Sequence, residues 1–246
     1  MGPDGGESVD PLIRPLIGRG TALALVGGTV GLVAVYFATR RLDPADPSVA
    51  GIRTVFDFDN EGTVPTWWNA SLLAAVAAVL LGAAGLATEA LPPSRRSLVI
   101  AGLIAGFLAM DEASQLHQLA NTPVAEVLAA RGISLDIFFW VIPGTVAAIV
   151  LGLAALRWWR TLPRRIGNGL LGAMGLYFVG AIGIETAASQ RYFGGGGDRY
   201  IYLMLAEELC EMGGVILALV AVGGFLGVDR TDGVPVLRRM PPEASG

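Results

Sequence analysis

The stretch "SLVIAGLIAGFLAMDEASQLHQ", Ser97 to Gln118, decides the fold. From Leu98 to Met110 it carries no charge, and then Asp111, Glu112 and His117 follow within one short run. A bilayer-spanning helix needs about 20 mainly apolar residues. The run therefore reads as a membrane helix with a polar end. Five other segments have the same character, giving spans at about 18–39, 66–91, 97–118, 134–158, 166–189 and 199–227. The chain of 246 residues is 53% hydrophobic and only 15% charged, with a mean hydropathy of +0.60. A water-soluble domain carries more charge than this. The expected fold is an all-α polytopic membrane protein, a bundle of six transmembrane helices. Residues 1–17 are expected to form a disordered cytoplasmic tail, 18–227 the membrane domain and 228–246 a second disordered cytoplasmic tail.

Charge sets the expected orientation and removes whole classes of partner. All 17 basic residues are arginines, and the formal charge of −4 argues against nucleic acid. With the amino terminus inside, 11 arginines fall on the cytoplasmic side and 6 on the other, so both termini are expected in the cytoplasm of a plasma-membrane protein. The acidic, Gly/Pro-rich start lacks the basic region of a cleaved signal peptide. One cysteine, Cys210, excludes an internal disulfide framework or a cysteine-based metal cluster. One histidine, His117, excludes metal sites built from several imidazoles, including membrane hydrolases with three histidine ligands.

The acids then converge. Asp111, Glu112 and His117 end the third span, Glu185 lies near the end of the fifth, and Glu207, Glu208 and Glu211 lie near the start of the sixth. All of these positions fall toward one face of the membrane, whichever way the protein is inserted. A charge at the bilayer centre costs about 2.5–3.5 kcal/mol on insertion scales, so these groups need protons, a cation, an arginine or water. At 100° per residue, Asp111, Ser114, His117 and Gln118 share one arc of a continuous helix, while Glu112 points elsewhere.

Three function classes fit. The leading expectation is a site opening to the extracytoplasmic face that binds a divalent cation and supports hydrolase-like chemistry on a lipid, a lipid-linked headgroup or a peptide near the surface. Asp111, His117, Glu208 and Glu211 are its candidate ligands, with Glu207 or Glu185 as its base or as a support behind the ligands. Zn²⁺, Mn²⁺, Ca²⁺ and Mg²⁺ all suit such a donor set. A non-catalytic accessory or assembly subunit and a cation- or proton-coupled transporter are the alternatives. Transport is disfavoured because the polar groups lie on one side of the membrane only and no inverted repeat is visible.

The remaining question is the acidic loop "FDFDNEGTVPTWWNA", Phe56 to Ala70. Asp57, Asp59, Glu61 and Gly62 match the opening of a calcium loop, but Trp68 stands where its bidentate acid belongs. An EF-hand is therefore excluded. The loop reads either as solvated or as folding over the bundle to add acids to the cluster. Thr66 is the expected N-cap of the second span, and Trp67 and Trp68 are expected to anchor it in the headgroup belt. Glu89 is expected to pair with Arg95 or Arg96. Trp140 and Pro143, at the start of the fourth span, are assigned no chemistry.

Overall fold

The computed structural model describes residues 14–43, 45–60, 62–87, 93–231 and 234–240. Their architecture is mostly helical. The helices are α1 (Arg19–Arg40), α2 (Pro47–Val55), α3 (Val64–Gly85), α4 (Arg95–Ser114), α5 (Asn121–Ala129), α6 (Val141–Trp159), α7 (Arg164–Phe178), α8 (Glu185–Phe193) and α9 (Asp198–Gly223). A π-helical segment, Val179–Ile184, joins α7 to α8 into one rod of 30 residues. Among the described residues, five helices are long and apolar enough to cross a membrane: α1, α3, α4, α6 and the α7–α8 rod. The sixth expected span is α9, which is long enough at 26 residues but carries Asp198, Arg199, Glu207, Glu208 and Glu211.

Four rods make the core. α3 packs along α4, α9 packs along α7, and α3 meets α9 between them. Leu72, Leu73, Val76, Leu80 and Ala83 of α3 are buried against Leu98 and Ala105 of α4 and Val215, Leu219 and Val222 of α9. α1 and α6 lie outside this core, and 11% and 6% of their apolar stretches are buried. Their outward faces are apolar: Val146, Ile149, Val150 and Leu153 form a stripe at helical spacing on α6.

The two ends of the bundle differ. At one end lie the loops carrying the acids, here the polar end. At the other a small antiparallel sheet in the order β1-β2-β3 forms from Arg14–Pro15 (β1), Leu226–Thr231 (β2) and Val234–Arg239 (β3). These strands overlap both of the tails expected to be unstructured. Arg14 pairs with Val228, and Leu226 pairs with Arg239. Phe225 and Leu226 are buried among the helix ends, which ties the sheet to the core. An anchor of two apolar residues, Phe225 and Leu226, is too short to show in the hydropathy of the sequence. Residues 1–13 and 241–246 lie outside the described residues.

Several boundaries also move. α3 begins at Val64 with Thr63 as N-cap, because Pro65 sits comfortably in the first turn, so Thr66 is inside the helix rather than capping it. Only Trp67 of the tryptophan pair is exposed. Trp68 turns inward, and its indole N–H donates to Thr29 Oγ1 of α1 at 3.0 Å. Glu89 lies outside the described residues.

Candidate functional site

The third span does not run through to Gln118. α4 stops at Ser114, and Gln115 takes a left-handed conformation, φ 58° and ψ 34°. A 3₁₀ turn, Leu116–Ala120, follows. A non-glycine residue adopts this conformation at a cost, and the Asp111 carboxylate offsets it. Its Oδ1 accepts the His117 backbone N–H at 2.7 Å, and its Oδ2 lies 3.1 Å from His117 Nδ1. The continuous helical arc expected through Gln118 does not form. Asp111 and His117 meet because the chain turns back, not because they share a helical face. The Ser114 hydroxyl donates to the Met110 carbonyl of its own helix, which occupies the serine in the turn.

Asp111 and His117 line a cavity of about 650 Å³ at the polar end. Glu112, Glu185, Glu207, Glu208 and Glu211 line the same cavity. All six candidate site residues of the sequence reading are therefore gathered around one space. Glu112, expected to point elsewhere, joins them, and Asn69 of α3 holds it through an Nδ2–Oε1 hydrogen bond of 3.2 Å. Asn69 is itself fully buried.

Glu185 and Glu207 are hydrogen-bonded to one another through their carboxyl groups. Such a bond needs a proton on one of the two. The π-helical turn before Glu185 brings the α7–α8 rod close to α9. Gly180 lies in that turn, and a Cβ there would stand 2.8 Å from the Glu207 carbonyl oxygen and 3.1 Å from Glu211 Cγ. Only a residue without a side chain allows this approach.

Trp140 links the two pairs. Its ring centroid lies 4.6 Å from that of His117, and its indole N–H donates to the Glu185 carboxyl. Asn121 Oδ1 fixes the Trp140 backbone N–H at 2.8 Å. Hydropathy marks this tryptophan as part of an aromatic belt, and no sequence signal separates the two roles.

The acidic loop folds over the bundle. Phe58 is 4% exposed and packs edge-on to Tyr36 of α1, at 5.4 Å between centroids, and against Met204 and Met212 of α9. This wedge carries Asp59 to the cavity rim, where its carboxylate accepts the Tyr200 hydroxyl hydrogen bond. Asp57 faces away and builds the turn, accepting from the Asp59 N–H at 3.2 Å and from Asn60 Nδ2 at 2.9 Å. Asp59 thus joins the site, Asp57 shapes the loop, and Glu61 lies outside the described residues.

Several of the candidate ligands are engaged with protein partners in this arrangement. Asp111 gives both oxygens to His117, Glu112 accepts from Asn69, and Glu185 and Glu207 bond to each other. Among the described residues, no three His, Cys, Asp or Glu side chains are placed to hold one ion.

Fold and cavity together define a class: a mostly helical protein with several helices apolar enough to cross a membrane and an acid-lined cavity at one end of the bundle. The chain belongs to the DUF8692 family, described as a domain of unknown function, whose profile matches residues 22–223. No curated protein and no solved structure matches it.

Proposed function

We propose that this chain is a six-span integral membrane protein whose polar end faces the extracytoplasmic side and works as a hydrolase-like, general acid–base site on an amphiphilic substrate. The membrane part rests on the outward apolar stripes of α1, α4 and α6, such as Ile100, Leu103, Phe107 and Met110 on α4. Soluble helices place polar residues there. α9 completes the six, its glutamates facing a cavity instead of lipid. The arginine bias puts the sheet end, with both termini, in the cytoplasm.

One observation carries the chemistry: two hydrogen-bonded titratable pairs of different kinds line one cavity, joined through Trp140. In the Asp111–His117 pair the carboxylate orients the imidazole, and with the proton on Nδ1 the other nitrogen is the base. The Glu185–Glu207 pair holds the proton of its own hydrogen bond and is the acid. In hydrolysis His117 takes a proton from water, and the water oxygen bonds to the acyl carbon. The glutamate pair protonates the leaving oxygen or nitrogen as its bond to that carbon breaks. The proton on His117 then returns to the glutamate pair.

The test is turnover of a panel of long-chain esters and amides by purified protein in lipid nanodiscs. His117→Gln and Glu207→Gln are each expected to lower the rate by roughly 10²–10⁴-fold while the melting temperature holds. Wild-type protein that turns over nothing in the panel, or variants as fast as wild type, would remove the reading. Loss of turnover on chelation, restored by a divalent ion, would transfer it to a metal-dependent reaction. For the topology, in a Cys210→Ser background, Leu42→Cys is expected to react with an impermeant maleimide on intact cells and Arg160→Cys only after lysis. The reverse pattern inverts the orientation.

A further inference from the structure

A second cavity, of about 480 Å³, lies along the bundle axis from the polar one, between α4, α6 and α7. Its walls are almost wholly apolar, with Leu80, Ile104, Ala155 and Met174 among them. The two cavities share four residues, Leu108, Leu151, Tyr177 and Phe178, so they adjoin at a common ring. On every rod the order agrees. On α4, Ser97 to Leu108 line the apolar cavity and Asp111 and Glu112 the polar one. On α9, Gly214 to Ala218 line the first and Tyr200 to Glu211 the second.

From this continuity we infer that the two cavities form one site for a single-chain amphiphile whose fatty-acyl chain is joined by an ester or amide bond to a head bearing a cationic amine, the chain in the apolar groove and the head among the acids. This rests on the polar cavity being the reaction chamber proposed above and names the substrate class it takes. The groove's length matches a chain. Ser97 to Leu108 rises about 17 Å at 1.5 Å per residue, roughly half of a 30 Å hydrocarbon core and so one leaflet deep. Its volume falls in the range of small-molecule sites, about 300–1,000 Å³. The charge complement selects the head. Carboxyl groups outnumber the single imidazole around the polar cavity, and the rings of Phe138, Trp140 and Tyr200 line it too, the surroundings in which ammonium groups are held.

Trp158 and Trp159 line the groove and serve as reporters. Brominated hexadecylamine and brominated hexadecanol, titrated into protein in phosphatidylcholine nanodiscs, would quench their fluorescence. The amine is expected to quench at a concentration at least ten-fold below the alcohol, and a Trp158→Phe/Trp159→Phe variant to lose the effect. Ala155→Phe, which fills the groove, is expected to weaken amine quenching at least five-fold; Ile104→Phe on α4 serves if that variant fails to fold. Equal quenching by amine and alcohol means ordinary bilayer lipid only and overturns the inference, as does undiminished binding by both filled-groove variants. Binding is read without turnover, so a catalytically silent protein that still prefers the amine sinks the hydrolase reading alone. An active protein without the preference sinks only the substrate class.

Discussion

At the sheet end of the bundle the helices close on one another through apolar contacts: Phe225 and Leu226 enter the core, and Gly223 brings α9 within reach of Ile17. At the polar end the elements are joined by side-chain hydrogen bonds instead, Tyr200 to Asp59, Asn69 to Glu112, Asp111 to His117 and Trp140 to Glu185. One end is filled and the other is braced around a space. Apolar packing is non-directional and tolerates small shifts, whereas a brace fixes atoms but leaves room between them. The braced end therefore keeps the open, acid-lined space, and it is also the end a single substitution disturbs most selectively.

Phe58→Ala should break the contrast most severely. The ring is the deep apolar anchor among the described residues of the acidic loop, and truncating a buried phenylalanine costs about 3–5 kcal/mol. The loss is local. Hydrogen exchange in nanodiscs should show the loop over 56–63 opening, with α3 and the sheet end still protected. Tyr200→Phe removes only the hydrogen bond to Asp59 and should cost about 1 kcal/mol. A global melt in Phe58→Ala, with all segments exchanging together, would mean that the two ends do not have separate stabilities.

A pair of glycines sharpens the comparison at intermediate cost. Overpacking a close contact costs about 1–3 kcal/mol, and both Gly180→Ala and Gly223→Ala create one. At Gly223 the new Cβ would stand 2.6 Å from the Ile17 side chain, at the sheet end. At Gly180 it would stand 2.8 Å from the Glu207 backbone oxygen and 3.0 Å from Cys210 Cβ, so α9 itself must shift where it carries the site. Both variants should melt lower than wild type by similar amounts. Only Gly180→Ala should lose turnover, by up to roughly 10²-fold, as expected for a displacement of about an ångström. Equal turnover in the two variants would show that the contact with Gly180 does not set the geometry of the acids.

The same contrast explains what the sequence made legible. Acids inside apolar runs stand out sharply, and three rods that deliver them to the same end of a bundle predict a meeting place without any knowledge of packing. Asp111, His117, Glu185, Glu207, Glu208 and Glu211 were therefore readable. The partners that brace them were not. Trp140 looks like any interfacial tryptophan, and Asn69 is a single amide inside an apolar helix. Asp59 reaches the cavity only because Phe58 is buried between α1 and α9, a long-range contact. The Asp111–His117 pair was found for an incorrect reason, since helical periodicity cannot register the left-handed turn at Gln115. The hairpin of β2 and β3 escaped because short strands in a polar, proline-containing segment give little periodic signal beside 26 residues of helix.

The smallest expected effect lies at the outer edge of the braced end and depends on pH. Asp46 caps α2 through its Oδ1, which accepts the Ser48 backbone N–H at 2.9 Å and the Ser48 hydroxyl at 2.6 Å. These hydrogen bonds from Ser48 hold its carboxyl below the ordinary value of 3.8, the hydroxyl contributing most and the backbone N–H next. A carboxyl whose folded value is depressed contributes its stabilisation above the unfolded value and loses it as pH falls through the folded one. The cap should therefore be intact at neutral pH and released only in acid below about pH 4, and release should reach α2 alone. Protection of the Ser48 and Val49 amides, followed from pH 6 to pH 3 and corrected for the intrinsic exchange rate, measures it directly. Asn also caps helices well, so Asp46→Asn should keep the neutral-pH protection and abolish its acid dependence. If the variant showed the same acid dependence as wild type, some other group would be titrating, and the first turn of α2 would owe its order to contacts beyond its cap.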